Sequence, residues 1–330
     1  MGSSGGTMQY SRRMVWLCTY GCPLLCLHCH SESGDRPSKV LPPEKMNKLV
    51  DVLVSMQLRS LSFSGGEPLS VPALFDIARR LKEAGTKVNL FTSGWGMTEE
   101  AARKAQGLFS RIHVSLDGPT PESHDRIRRR AGSFARAMSA LERLDRFADK
   151  ETSLGLDCTV TRETFDMLPP FLTEIAPRFP KLNFARFGAV CATGRALQEP
   201  FLSTGFLSDE QISSMDDPGF TANLQKLAPA SLKVETTGNK DLISGYGCWY
   251  IQPDGGVQAM PAYDFSVGNL MEAPPEVLWE RCTNMREDPF VRSTLDAVKG
   301  IDDWIKAGHS LIHRFGRGTQ QDAGVGAARG

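Results

Sequence analysis

Met14 to Cys29 reads MVWLCTYGCPLLCLHC. Met14–Thr19 is an apolar run of strand length, closed by Tyr20-Gly21. A run that short, bounded by turn residues, predicts a buried β-strand. The loop after it carries three cysteines, at 22, 26 and 29. A strand that empties into a chemistry-bearing loop is the unit of parallel α/β folds, whose sites collect at the C-terminal strand ends.

The same unit recurs downstream. Pro42–Met56 places Met46, Leu49, Val50, Leu53 and Val54 at helical spacing, and Ser60–Ser64 predicts a strand ending in Gly65-Gly66. Ala73–Ala84 predicts a helix stopped by Gly85, and Lys87–Thr92 a strand. Thr98 reads as an N-cap, with Glu99 and Glu100 in the first turn, where the helix dipole favours them. Strands follow at Arg111–Leu116, Ser153–Val160 and Lys181–Gly188, with helices over Ser133–Phe147 and from Leu168 to Ala176. Six such units with right-handed crossovers predict an α/β fold, a partial (β/α)6 barrel with a small C-terminal hairpin-plus-helix extension. The expected organisation is barrel over 14–200, extension over 201–315 and a Gly/Ala-rich disordered tail over 316–330. Within the extension, Ala189–Lys240 reads as irregular and Tyr246–Ala259 as a hairpin about Pro253-Asp254-Gly255-Gly256. Helices are expected near Pro275–Cys282 and Asp302–Ile312.

Composition narrows the function. The 330 residues are 41% hydrophobic, which supports a sizeable core, and 38 basic side chains balance 38 acidic ones. Zero net charge argues against a nucleic-acid partner. No apolar run reaches the length of a membrane span. Met1–Arg13 is Gly/Ser-rich with no apolar stretch, so no secretion signal is read there and the reducing cytoplasm is the expected compartment. Eight cysteines in such a chain point to metal or redox chemistry rather than disulfides, and four of them fall between residues 18 and 29.

Three thiolates on one loop can grip three corners of a [4Fe–4S] cubane, leaving one iron open. Cys22, Cys26 and Cys29 are the expected ligands. An open iron can chelate the amino and carboxylate groups of S-adenosylmethionine (SAM), and an electron then breaks the S–C5′ bond. The competing reading is structural zinc on Cys3His with His28 or His30, a non-catalytic binding module. Cys18 has no completing CxxC and reads as a small apolar strand residue.

The CxxxCxxC spacing, the Leu27-His28 pair and the position after strand one resemble the radical SAM superfamily, over about residues 14–200. Ser64-Gly65-Gly66-Glu67-Pro68-Leu69 is similar to that family's GGEP segment, which meets the amino group of SAM. Thr92-Ser93-Gly94 resembles its ribose-contacting turn, and Ser115-Leu116-Asp117-Gly118 its SLDG segment. His124-Asp125 with Arg128 follows as in an HDxxR extension, and Gly194-Arg195 resembles the stretch after strand six. The resemblance implies Gly65, Gly66, Glu67, Pro68, Thr92, Ser93, Ser115, Asp117 and Arg128 as SAM-binding residues. Taken singly, Glu67 also reads as a helix cap, Asp117-Gly118 as an ordinary turn, and Arg128 and Arg195 as a solvated face and a structural cation.

Tyr246–Pro261 and Val267-Gly-Asn269 resemble the hairpin of SPASM and Twitch domains, in degenerate form. Met260 stands where a ligand cysteine is expected, and no CxxC follows. A second [4Fe–4S] cluster then has only Cys158, Cys191, Cys248 and Cys282 to draw on. The alternative is a free thiol that returns a hydrogen atom to a substrate radical, with Cys248 the first candidate and Cys191 the second. The short barrel, degenerate hairpin and lone Cys248 resemble aminoglycoside epimerases of the neomycin C epimerase type. That resemblance implies an isomerase of antibiotic biosynthesis acting on a small polyhydroxylated molecule. Alcohol oxidation through an auxiliary cluster and peptide maturation are the rivals; only about a dozen residues precede strand one, which disfavours a leader-peptide domain. A flavodoxin- or ferredoxin-type electron donor is the implied partner.

Overall fold

The computed structural model describes residues 10–38, 40–238, 248–260 and 263–315. Its strands form one sheet: β1 (Arg13–Thr19), β2 (Ser60–Gly65), β3 (Lys87–Thr92), β4 (Arg111–Ser115), β5 (Ser153–Val160), β6 (Leu182–Ala189), β7 (Lys233–Thr237), β8 (Trp249–Ile251), β9 (Gly256–Met260) and β10 (Tyr263–Asn269). The order is β10-β9-β8-β1-β2-β3-β4-β5-β6-β7, so the barrel is partial, with β7 and β10 at its edges. β1 to β7 pair in parallel, as does β8 with β1.

Strand alternation sorts residues between two faces. On β5, Leu154, Leu156, Cys158 and Val160 join the apolar layer under the helices. Ser153, Gly155, Asp157 and Thr159 therefore face the barrel interior. Helix α1 (Pro43–Ser55) supplies Met46, Leu49, Val50 and Leu53 to that layer at i, i+3, i+4 and i+7. Each such side chain contributes about 1.5–3 kcal/mol by leaving water. Helices α2 (Leu74–Glu83), α3 (Glu99–Ala105) and α5 (Ser133–Phe147) continue the layer, and the Thr98 hydroxyl caps α3 by accepting from Ala101 N.

Several elements depart from the sequence expectation. Helix α4 (Pro121–Arg128) is additional; Thr120 and Ser123 close its N-terminus as a capping box with Pro121 at the first position. The helix expected from Leu168 to Ala176 is instead a short α turn, a π turn over Phe171–Ile175 and a 3-10 turn over Ala176–Arg178. Pro169, Pro170 and Pro177 lack amide protons, and a proline inside a helix clashes with the carbonyl four residues back, so a regular α ladder cannot run through them.

The stretch read as irregular, Ala189–Lys240, holds α6 (Asp209–Met215), α7 (Pro218–Gln225) and β7. Ser208 and Asp217 cap the two helices, and β7 extends the parallel sheet past β6. The hairpin is present as β8 and β9, but it joins the barrel sheet through β1. Helix α8 (Pro275–Arg286) packs on β9 and β10, followed by α9 (Pro289–Asp296) and α10 (Ile301–Phe315). Tyr246, Gly247 and the tail expected over 316–330 lie outside the described residues.

Candidate active site

The cysteine loop is held from three sides. Leu25 N and Leu27 N donate to the carbonyls of Arg128 and Ile127 at 3.4 and 2.9 Å. Those carbonyls are free because α4 ends at Arg129, whose φ of 53° breaks the helix; a non-glycine residue there is unusual. Gly66 N donates to Thr19 O and Glu67 N to Gly21 O, tying the loop to the end of β2. A Cβ on Gly66 would lie 2.1 Å from Gly21 O, so only glycine permits that approach. On the third side Arg195 donates through Nη1 to Cys26 O (2.8 Å) and through Nη2 to Ser33 O (2.9 Å) and Asp35 Oδ2 (3.1 Å), while its backbone N donates to Cys29 O. Arg195 is thus a buried clamp on the cysteine loop.

Behind the loop lies a buried charge network. Asp117 Oδ2 is 2.6 Å from both His28 Nε2 and Arg128 Nε, and its Oδ1 accepts from Thr159 N at 3.0 Å. Arg128 Nη1 reaches Cys26 Sγ at 3.7 Å. Burial raises the Asp117 carboxyl, but Arg128 and His28 outweigh it and hold the group well below the usual carboxylate range. The contact engages Nε2 of His28, and His28 also borders the cavity described next.

The loop roofs a cavity of about 360 Å³, within the range for small-ligand sites. Cys22, Cys26 and Cys29 border it, as do Gly65, Gly66, Thr92, Ser93 and Ser115 at the strand ends. Arg128 also borders it. Glu67, Pro68 and Asp117 do not. The Glu67 carboxylate is buried and accepts from Leu69 N, Thr92 Oγ1, Ser93 N and Ser93 Oγ at 2.5–3.1 Å. It braces the turns that border the cavity, and burial, opposed by these bonds, raises its pKa. Asp117 likewise braces the loop, and Pro68 begins the short turn that Glu67 caps. The structure therefore assigns these three to support rather than to the cavity wall.

The opposite part of the lining comes from the barrel interior. Phe91 stacks on His113 at 4.0 Å, and the Phe184 ring meets His113 edge-on at 4.8 Å. Phe184 crosses Gly155, where a Cβ would come within 2.2 Å of its ring. Of the three only Phe91 borders the cavity, with His113 and Phe184 packed behind it. Asp157 pairs with Arg186, whose Nη1 donates at 3.3 and 3.4 Å, and His113 Nδ1 meets Asp157 Oδ2 at 3.1 Å. Burial raises the Asp157 carboxyl, and Arg186 and His113 pull it back below its ordinary value. Tyr250 and Cys191 complete this wall. The sequence reading missed Asp157, Arg186, His113 and Tyr250; alternating polar residues on β4 and β5 signal His113 and Asp157, while Arg186 and Tyr250 carry no such pattern.

The four remaining cysteines separate. Cys191 borders the cavity, Cys158 belongs to the apolar core on β5 and also touches the cavity lining, and Cys282 is on α8, its Sγ donating to Gln258 O at 3.8 Å. Cys248 precedes β8 and does not border the cavity; it falls on the face of Tyr250 by the two-residue strand period. Among the described residues no group of three or more metal-ligating side chains gathers, these four included. Cys18 is buried core, as read.

Among the described residues no three His, Cys, Asp or Glu side chains converge on a point that would hold a single ion. Cys22, Cys26 and Cys29 all border the same cavity, and three thiolates from one loop are the donor set that would hold three corners of a [4Fe–4S] cluster there. Burial pushes the Cys22 thiol up to about 12 and Cys26 to about 11, with Arg128 opposing the latter. Ligation by iron offsets that cost by binding the thiolates.

Residues 16–162 match the model of the Radical SAM superfamily, and this part of the chain is a radical SAM domain. Its cofactors are accordingly a [4Fe–4S] cluster, which Cys22, Cys26 and Cys29 would hold, and SAM, and when bound they would supply radical chemistry. The chain is 27% identical over 298 residues to an AdoMet-dependent heme synthase of Methanosarcina barkeri, covering 84% of each protein. It is 35% identical over 169 residues to the mycofactocin maturase MftC of Mycobacterium ulcerans, spanning 50% of this chain and only 44% of that protein. The fold is that of Streptococcus suis SuiB bound to S-adenosylmethionine (TM-score 0.64, 11% identity, 86% of this chain and 67% of the other). Native anSMEcpe with bound AdoMet is similar too (TM-score 0.60, 15% identity, 92% and 95%). Among the described residues no helix is long and apolar enough to cross a membrane.

Proposed function

We propose that the enzyme abstracts hydrogen from a C–H bond of a small, polyhydroxylated substrate seated over Asp157 and Arg186, and that a cavity-side thiol returns hydrogen to invert the carbon. The observation that carries this reading is Cys191, a cysteine that borders the same cavity as Cys22, Cys26 and Cys29. Burial pushes its thiol up to about 11 against the pull of Arg186, so it keeps its proton at neutral pH. Only an S–H, not a thiolate, can give a hydrogen atom to a carbon radical. The step balances: carbon gains hydrogen, sulfur becomes a thiyl radical, and one electron and one proton from the reductant restore the thiol. Cys248, the first candidate from sequence, is also raised to about 11 by burial and lies one strand step below Tyr250. Cys191 has the more direct line to a ligand.

The substrate class follows from the ion pair. Asp157 already neutralises Arg186, so an incoming carboxylate gains little from the guanidinium and is repelled by the acid beside it. Adjacent hydroxyl groups satisfy both partners at once, donating to Asp157 and accepting from Arg186, and an ammonium group can donate to Asp157. A second reading is carried by the relatives: a heme synthase matches across most of the chain, and a maturase across half of it. On that reading the same radical acts on a tetrapyrrole or a peptide.

The test is turnover of the reconstituted protein with SAM and reductant in deuterated water, against aminosugars, coproporphyrin and short peptides. The proposal predicts one solvent deuterium at an inverted sugar carbon, lost in Cys191→Ala. Loss in Cys248→Ala alone transfers the donor role to that residue. Consumption of coproporphyrin or peptide, with sugars untouched, establishes the second reading instead.

A further inference from the structure

Between residues 126 and 136 the chain carries Arg126, Arg128, Arg129, Arg130 and Arg136 and no acidic residue, although the whole protein is neutral. The structure gives these arginines three fates. Arg128 turns inward to Asp117 and Cys26. Arg126 pairs with Glu163. Arg129, Arg130 and Arg136 stay exposed, and none of them pairs with a carboxylate among the described residues. The nearby Asp125 is already spent, accepting from Gly132 N, Ser133 Oγ and Phe134 N at 2.6–2.8 Å.

Two of the three are held together. The guanidinium carbons of Arg130 and Arg136 lie 5.1 and 5.2 Å from the centroid of the same Trp95 ring. Cation–π contact fixes both, yet like charges gathered without a counter-ion repel each other, a cost that an external anion removes. The patch is also close to the cluster loop. Arg129 directly follows the carbonyls that accept from Leu25 N and Leu27 N, and its neighbour Arg128 touches Cys26.

We propose that Arg129, Arg130 and Arg136 form the docking face for an acidic one-electron carrier protein that reduces the cluster held by Cys22, Cys26 and Cys29. This rests on the cluster assignment above and is independent of the substrate. Charge complementarity selects the carrier, and α4 sets it down one residue away from the ligand loop. Steering by such a patch raises association rates by about 10- to 1000-fold and is screened over about 10 Å at 0.1 M salt.

The experiment measures cluster reduction itself, by loss of visible absorbance in stopped flow, on the reconstituted full chain. Flavodoxin hydroquinone is one reductant; reduced methyl viologen, a small cation that needs no docking face, is the other. The double variant Arg129→Glu/Arg130→Glu is expected to slow reduction by flavodoxin at least tenfold at low salt and to lose its salt dependence. Its reduction by viologen should not slow. The milder Arg129→Gln/Arg130→Gln variant should fall between. An unchanged flavodoxin rate overturns the proposal, as does an equal fall with both reductants, which would mean the cluster seat itself is damaged. Failure of the native chain to bleach with viologen would instead count against the cluster assignment.

Discussion

Replacing Asp117 with Asn keeps the shape of the side chain and removes one buried charge. In the native protein that carboxylate faces His28 and Arg128 at 2.6 Å and takes the Thr159 amide. The substitution leaves the Arg128 guanidinium buried without its counter-ion. Breaking one side of a buried pair costs about 3–5 kcal/mol, a large part of the roughly 5–15 kcal/mol that is usual for a whole protein. Urea unfolding of the metal-free chain, followed by circular dichroism, measures it. The double variant Asp117→Leu/Arg128→Met, with no stranded charge, should lose less than Asp117→Asn alone. The pH sign is fixed by the depressed carboxyl. Its contribution is fully present above the unfolded value of about 3.9 and is lost as pH falls through the lower folded value. The gap between the native protein and the Asp117→Asn variant should therefore be flat near neutrality and close in acid. A loss below about 1 kcal/mol at pH 7, well short of the cost of a stranded buried charge, refutes the idea that this network anchors the loop.

Other outcomes follow from the same geometry. Arg195→Ala strands the Cys26 and Ser33 carbonyls, at about 1–3 kcal/mol each, and should lower iron retained per chain; Arg195→Lys should not restore it, because an ammonium cannot span the fork. Gly155→Ala forces a methyl group into the Phe184 ring and should destabilise by about 1–3 kcal/mol, seen as a lower Tm. If Cys191 is the donor, solvent deuterium per turnover should hold steady from about pH 7 to 9, where an ordinary thiol of pKa about 8.5 would already ionise, and should fail near pH 11.

Much of the barrel is legible from residue pattern because its strands are short apolar runs and its helices carry amphipathic spacing. Lys87–Thr92, Ser133–Phe147 and Ser153–Val160 are read to the residue for that reason. β7 escapes because Lys233, Glu235 and two threonines leave only Val234 as an apolar marker; its strand character comes from pairing with β6. The proline-laced helix escapes because apolar spacing does not report missing amide protons. At the site, the cysteines and the strand-end glycines are local signals. The partners of the Glu67 and Asp117 carboxylates are not legible in one dimension, because beside the near ones, Leu69 and Arg128, they include Thr92, Ser93, His28 and Thr159 from other strands and loops. The Asp157–Arg186 pair is invisible until β5 and β6 are placed in register.

The central claim is that Cys22, Cys26 and Cys29 hold a cluster on which SAM is cleaved. Its most direct test is 5′-deoxyadenosine release by the anaerobically reconstituted chain with SAM and a strong reductant, beside a Cys22→Ala/Cys26→Ala/Cys29→Ala variant. The account predicts about four irons per chain and nucleoside release from the native protein, and neither from the variant. A zinc-loaded, colourless native protein, or nucleoside release that survives in the variant, would contradict it.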